Sequence, residues 1–242
     1  MSRRTRRLLV VIAAGLVVFV GGPWVYINVI REPAAQSFLD EISTTTFVAM
    51  GDVSSTTNAP QSSEDDSTVL DDVSGTWSVS GDSQVGYRVD EVLFGQNVTA
   101  VGRTTAVTGV VNISNLTVNS AEFTVDMTTV KSDESKRDAQ FASRIMDTLN
   151  FPTATFVLSS PITVGVEALN GPGRHEASGV LSLRGTSKPV SLDVVSSIRG
   201  GAIVLAGEIT IVFDEWGIPN PSIPGISTED FGILEFSLVL ER

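Results

Sequence analysis

KSDESKRDAQFASRIMDTLNFPTATF, Lys131 to Phe156, is the one stretch of the chain beyond residue 73 that does not read as strand and turn. Asp138 is placed to cap a short helix whose apolar residues Phe141, Ile145 and Leu149 recur at i, i+4 and i+8. Pro152 ends any helix, and Phe156 opens the next alternating run. A helical segment inside an otherwise β-rich chain has to bury its apolar face. The open end of a barrel or sheet is the natural place.

Outward from it the hydrophobic period is two. Trp77 and Val79 share a face, as do Val85, Tyr87 and Val89, and Phe123, Val125 and Met127. Further on, Val190, Leu192 and Val194 form one face, Ile203, Leu205, Ile209, Ile211 and Phe213 another, and Leu234, Phe236, Leu238 and Leu240 a third. Glycine- and asparagine-rich breaks punctuate these runs at Gly95–Asn97, Asn112–Asn115, Asn170–Gly173 and Arg199–Gly201. The pattern predicts an all-β domain of about eight antiparallel strands. Several runs reach ten residues, which suits a barrel better than a sandwich.

Before this domain the chain changes character twice. Arg3, Arg4, Arg6 and Arg7 precede an uncharged apolar stretch from Leu8 to Ile30, whose 23 residues suffice to cross a hydrocarbon core of about 30 Å. Trp24 and Tyr26 fall at its outer end, where interfacial aromatics are expected. The division expected is a basic N-terminus and transmembrane signal-anchor helix over 1–32, an acidic Ser/Thr-rich linker over 33–73 and a β-barrel over 74–242. A cleaved signal peptide is the competing reading, against which the length of the apolar run counts. The linker carries eight acidic residues and no Lys or Arg, and SSTTNAPQSSEDDS (54–67) reads as a disordered tether. The expected location is therefore a cytoplasmic membrane, single-pass, with the N-terminus inside and the barrel on the extracytoplasmic side.

Composition removes several chemistries. The chain has no cysteine, one histidine and a net charge of −12. Five of its 16 basic residues lie in the first 31 positions, so no clustered basic surface for nucleic acid is expected. His175 sits in Gly171-Pro172-Gly173-Arg174-His175, a turn composition, and reads as a loop residue. No metal site, cofactor motif or catalytic set is expected. The carboxylates Asp214, Glu215, Glu229 and Asp230 have no supporting motif, so the chain does not read as an enzyme.

From Gly75 onward the chain resembles the YceI-like polyisoprenoid-binding proteins. Gly75-Thr76-Trp77-Ser78-Val79 with Ser83 to Val89 is similar to that family's first hairpin, and Val101–Thr104 with Val107–Gly109 to its next strands. Asp126–Val130, Lys136-Arg137-Asp138, Phe151-Pro152 and Phe156 resemble its central signature; Leu181 to Val190 resembles a turn between later strands. Trp216-Gly217-Ile218 and Phe231 to Leu240 resemble its ending. Gln140 stands where the family usually has a histidine, and the Pro219–Pro224 loop is elaborated.

The resemblance implies an extended, eight-stranded, lipocalin-like barrel holding a long isoprenoid lipid, of polyprenyl phosphate or quinone type, without a cofactor. Phe123, Met127, Phe156, Leu181 and Leu183 are the expected lumen residues; Phe141, Leu149 and Phe151 are expected at the lid. Arg137, Asp138 and Lys188 are the headgroup candidates. The partners expected are that lipid and the chain's own membrane, reached through residues 8–30. The alternative is an envelope β-domain whose interior is fully packed and which binds proteins. A continuous apolar channel discriminates between the two.

Overall fold

The computed structural model describes residues 25–27, 33–40, 73–165 and 171–242. Its strands in chain order are β1 (Gly75–Val79), β2 (Gln84–Leu93), β3 (Gln96–Thr104), β4 (Val107–Ser114), β5 (Thr117–Asp126) and β6 (Lys131–Ser132). A short helix, α1 (Ser135–Gln140), and a π-helical turn (Phe141–Ile145) come next. Then follow β7 (Thr153–Leu158), β8 (Ile162–Thr163), β9 (Gly173–Leu183), β10 (Thr186–Arg199), β11 (Ala202–Val212), β12 (Ile226–Thr228) and β13 (Phe231–Glu241).

Among these, β1-β4-β5-β7-β9-β10-β11-β13 form a ring of eight antiparallel strands, closed where Val79 of β1 pairs with Leu240 of β13. The expected barrel is present. β2 takes over from β1 lower on β13, pairing Arg88 with Ile233, and carries β3, which pairs in turn with β6. Closure leaves the ring no free edge to pair with another chain.

Four hairpins share one turn design. Phe94–Gly95, Asn115–Leu116, Arg184–Gly185 and Gly200–Gly201 each bridge a directly paired couple of residues, Leu93↔Gln96, Ser114↔Thr117, Leu183↔Thr186 and Arg199↔Ala202. Every central residue has positive φ, from 48° at Phe94 to 84° at Gly201. That is the type I′ geometry, whose twist matches the flanking strands. Asn112, expected in a turn, lies in β4 at a register shift, and the turn falls three residues later.

The alternating faces read from the sequence point inward. Leu181, Leu183, Leu192, Ile209, Ile211 and Phe213 are buried toward the helical end of the barrel, and Trp77, Val107, Val111, Ile203, Leu238 and Leu240 toward the other.

The outer wall is also covered in one place. Residues 33–40, the beginning of the expected linker, lie across β3, β2, β13 and β11. Phe38 is 2% exposed, packed on Ala206 with Val195 and Val204. Arg88 donates to the Ala35 carbonyl at 2.6 Å, and Arg103 donates to that of Gln36. The expected membrane helix lies outside the described residues except for residues 25–27, which are helical. Among the described residues no helix is long and apolar enough to cross a membrane.

Candidate ligand-binding cavity

The inward-facing side chains do not fill the barrel. They enclose a cavity of about 300 Å³ that runs from the helical end to the N-terminal end of β9, and its walls are almost wholly apolar. A dry apolar hole of about 150 Å³ is enough to bind benzene. A fully packed interior is not what this barrel holds.

Glycines keep the lumen open. Phe156 lies flat over Gly179 on the neighbouring strand, so closely that a methyl group there would come within 2.3 Å of the ring. Phe123 lies over Gly109 in the same way, at 2.4 Å. Each ring is held down along the wall instead of projecting across the barrel.

The helical segment closes one end. Glu134 is the N-cap of α1, accepting from the Lys136 N–H at 3.2 Å. Asp138, expected as that cap, sits in the first turn and instead accepts from the Ser132 N–H and hydroxyl at 2.8 and 2.7 Å. The helix then widens into a π-turn, the Met146 N–H reaching back to Phe141 O. Phe141, Ile145 and Met146 face the cavity as a result. Phe141 stacks on Tyr87 with ring centroids 5.2 Å apart. Burial holds the Tyr87 phenol proton on and raises its pKa to about 12.

Of the expected lumen residues, Phe123, Met127, Phe141, Phe156, Leu181 and Leu183 line the cavity. Leu149 does not: it is 91% exposed, because the helical run ends at Ile145 and Met146 fills the inward position. Phe151 packs against Gly185 beneath Arg184, outside the cavity wall.

The headgroup candidates separate. Arg137 lines the cavity at its helical end, between Glu91 at 3.8 Å and Asp133, which it meets in an i,i+4 pair. Asp138 is tied to Ser132 and lies 3.9 Å from Lys131. Lys188 pairs with Glu215 at 3.2 Å over the Trp216 ring, away from the lumen.

Sequence reasoning missed Met146, which takes the inward place expected for Leu149, and His175. The glycine- and proline-rich lead into His175 reads as a loop, yet β9 begins at Gly173 and carries His175 inward, opposite Val194. Its Nε2 is buried in the cavity wall without a hydrogen-bond partner. The inward parity of Ala177, Leu181 and Leu183, carried back by twos, was the available signal. No group of His, Cys, Asp and Glu among the described residues could hold a metal ion.

Comparison with known proteins gives one family. The model of the YceI-like domain matches residues 77–240. A polyisoprenoid binding domain from Saccharophagus degradans implicated in plant cell wall breakdown has a similar structure, with a TM-score of 0.53 and 14% identity over 69% of this chain and 98% of its own. BcnA of Burkholderia cenocepacia has a TM-score of 0.50 and 20% identity over 63% of this chain and 95% of its own. At such identities the likeness is one of fold. No curated protein matches the chain.

Proposed function

The chain belongs to the YceI-like family, matched over residues 77–240, and from that premise we propose that its barrel is a membrane-anchored, extracytoplasmic carrier or store for an isoprenoid lipid. The observation that carries this reading is the apolar cavity, closed at one end by Phe141, Ile145 and Met146. A prenyl chain offers no hydrogen bonds, so its binding rests on burial. Removing about 400 Å² of lipid surface from water is worth on the order of 10 kcal/mol. Association costs of at least about 4 kcal/mol come off that figure, which leaves at most about 6 kcal/mol, a dissociation constant of roughly tens of micromolar. No catalytic step is assigned to any residue.

Two features support a membrane-facing mouth at the helical end, with α1 and the π-turn as its lid. The tyrosine at the outer end of the apolar run, Tyr26, donates to Glu134 at the start of α1, at 3.4 Å. The expected anchor thus leaves off beside the helical end of the barrel. Exposed apolar side chains gather at that same end: Leu149 after the π-turn, Phe94 at the β2–β3 tip (60% exposed) and Ile223 in the loop that Arg144 grips through the Asn220 and Pro221 carbonyls. A rim of this kind suits an interface with lipid. It would let a prenyl chain pass into the lumen without crossing water.

The test is lipid extraction from the full chain purified out of its own host's membranes. An isoprenoid at close to one per chain is expected. Absence of any lipid, with no uptake of added prenyl alcohol or quinone, would refute the reading.

A further inference from the structure

The lumen has two polar ends of different chemistry. At the helical end stands Arg137, but its charge is met by Glu91 and Asp133, so the three groups together carry one negative charge. An incoming phosphate would meet carboxylates there as well as the guanidinium. At the other end stands His175. From His175 to Leu183, beside the helical end, are eight residue steps of β9, about 26 Å of strand. The two polar groups are therefore separated by most of the length of β9.

His175 Nε2 is buried against the lumen and has no partner. A buried polar atom without a hydrogen bond costs free energy that a bound partner recovers. Ser196, which follows Val194 by two positions on the inward face of β10, lines the same end, and so does its neighbour Ser197, whose hydroxyl is likewise buried without a partner. The other walls there, Ile198, Ile203 and Val164 among them, are apolar. One imidazole and two hydroxyls, with no cation lining that end among the described residues, cannot replace the hydration of a phosphate dianion, but they match a neutral oxygen.

Resting on the lipid-carrier reading above, we propose that His175 is a polar subsite at the end of the lumen away from the helix, hydrogen-bonded through Nε2 to the hydroxyl or carbonyl oxygen of a neutral prenyl lipid. The lipid enters head first and leaves its tail toward Phe141. The ligand class is then a prenol or prenylquinone, and not a prenyl phosphate. Arg137 has no headgroup to hold in this arrangement and serves to order the lid through Asp133 and Glu91.

The test is competition on the full chain in micelles. Geranylgeraniol, its parent hydrocarbon lacking the hydroxyl, and geranylgeranyl phosphate are offered together, and bound ratios are read by native mass spectrometry. The wild type is expected to favour the alcohol over the hydrocarbon by about three- to tenfold, the worth of one hydrogen bond, and to exclude the phosphate. His175→Phe should bring the alcohol-to-hydrocarbon ratio to near one while still binding both, and His175→Gln should restore part of the preference. A preference that survives His175→Phe, or a wild type that selects the phosphate, overturns the subsite alone. Failure of every chain to bind any of the three overturns the lipid reading itself and this inference with it. Because the chain has one histidine, an imidazole ¹⁵N spectrum of the wild type gives an independent readout. The Nε2 signal must move on adding the alcohol or a short-chain prenylquinone. A carbonyl requires the Nε2–H tautomer whereas a hydroxyl pairs with either, so a bare Nε2 in the complex excludes the carbonyl head; an unmoved signal contradicts the proposal.

Discussion

Glu235 stands on the outer wall of the barrel and is fully buried, because Arg103 meets its Oε1 through Nε and Nη2 at 3.1 and 3.0 Å and residues 33–40 lie across the pair. Arg88 approaches its other oxygen at 3.5 Å. The same Arg103 guanidinium lies 3.9 Å from the centre of the Phe38 ring. One carboxylate thus organises two arginines whose other donors hold down the chain on its way toward the expected anchor. Removing it takes away the buried acceptor that both cations face. Glu235→Ala is expected to destabilise the fold by about 3 kcal/mol, the cost of breaking a buried pair from one side, read from denaturant unfolding. A change below about 0.5 kcal/mol would mean that the cluster is solvated.

Phe38→Ala tests the strap apart from the barrel. Among the described residues its contacts are with the outer wall and its own neighbour Leu39, so the lumen is untouched. Hydrogen exchange in peptides covering residues 33–40 should quicken by at least tenfold, while the barrel strands keep their protection. Equal loss across both would place Phe38 in the main core.

Gly179 holds the lumen open by admitting the Phe156 ring. The methyl group of Gly179→Ala would meet both the Phe156 ring and, at 2.6 Å, the Val157 carbonyl oxygen, so it pushes the ring inward and strains the strand pairing. Prenyl binding should weaken by about tenfold or more, with a stability loss of about 1–3 kcal/mol from overpacking. Unchanged affinity would show that the ring can turn aside and that the lumen does not depend on this approach.

Tyr87 gives the barrel a pH dependence. Its folded pKa of about 12 lies above the ordinary value of 10 because burial disfavours the phenolate. The neutral form's advantage is complete below pH 10 and is lost as the pH rises through 12, a window worth about 2–3 kcal/mol. Ultraviolet titration of Tyr26→Phe, which leaves Tyr87 as the one tyrosine, should show the phenolate appearing near pH 12. Ionisation near pH 10 would place the phenol in water.

Much of this molecule could be read from its residues. The inward faces of β2, β5, β11 and β13 follow directly from alternation in Val85–Val89, Phe123–Met127, Ile203–Phe213 and Leu234–Leu240. The same alternation marks Glu235 as outward, and no periodicity announces that it is buried. That burial depends on Phe38, which sits in a segment of linker composition. Leu149 was misplaced because the i, i+4, i+8 argument assumes an unbroken α-helix, and the π-turn at Phe141–Ile145 shifts the phase. His175 was hidden by Gly171-Pro172-Gly173, whose turn chemistry ends one residue earlier than the composition suggests. The cavity itself depends on pairs such as Gly179 with Phe156, which are distant in sequence and meet only through strand register.

Leu149 and Phe94 are predicted to matter for transfer and not for folding. Replacing both with serine should leave unfolding unchanged within about 0.5 kcal/mol, as for exposed sites generally. Prenyl alcohol uptake from phosphatidylcholine vesicles should slow several-fold. Uptake at the wild-type rate would separate the rim from the loading path.

The central claim is that the lipid occupies the lumen, and Ala177 gives the most direct access to it. Its methyl group is buried on the cavity wall between His175 and Gly179. Ala177→Phe fills that space from within and leaves the outer surface as it was. Native mass spectrometry of both chains after exposure to geranylgeraniol should show one adduct per chain in the wild type and none in a folded Ala177→Phe. An adduct of equal abundance in both would put the lipid somewhere other than the lumen and contradict the account.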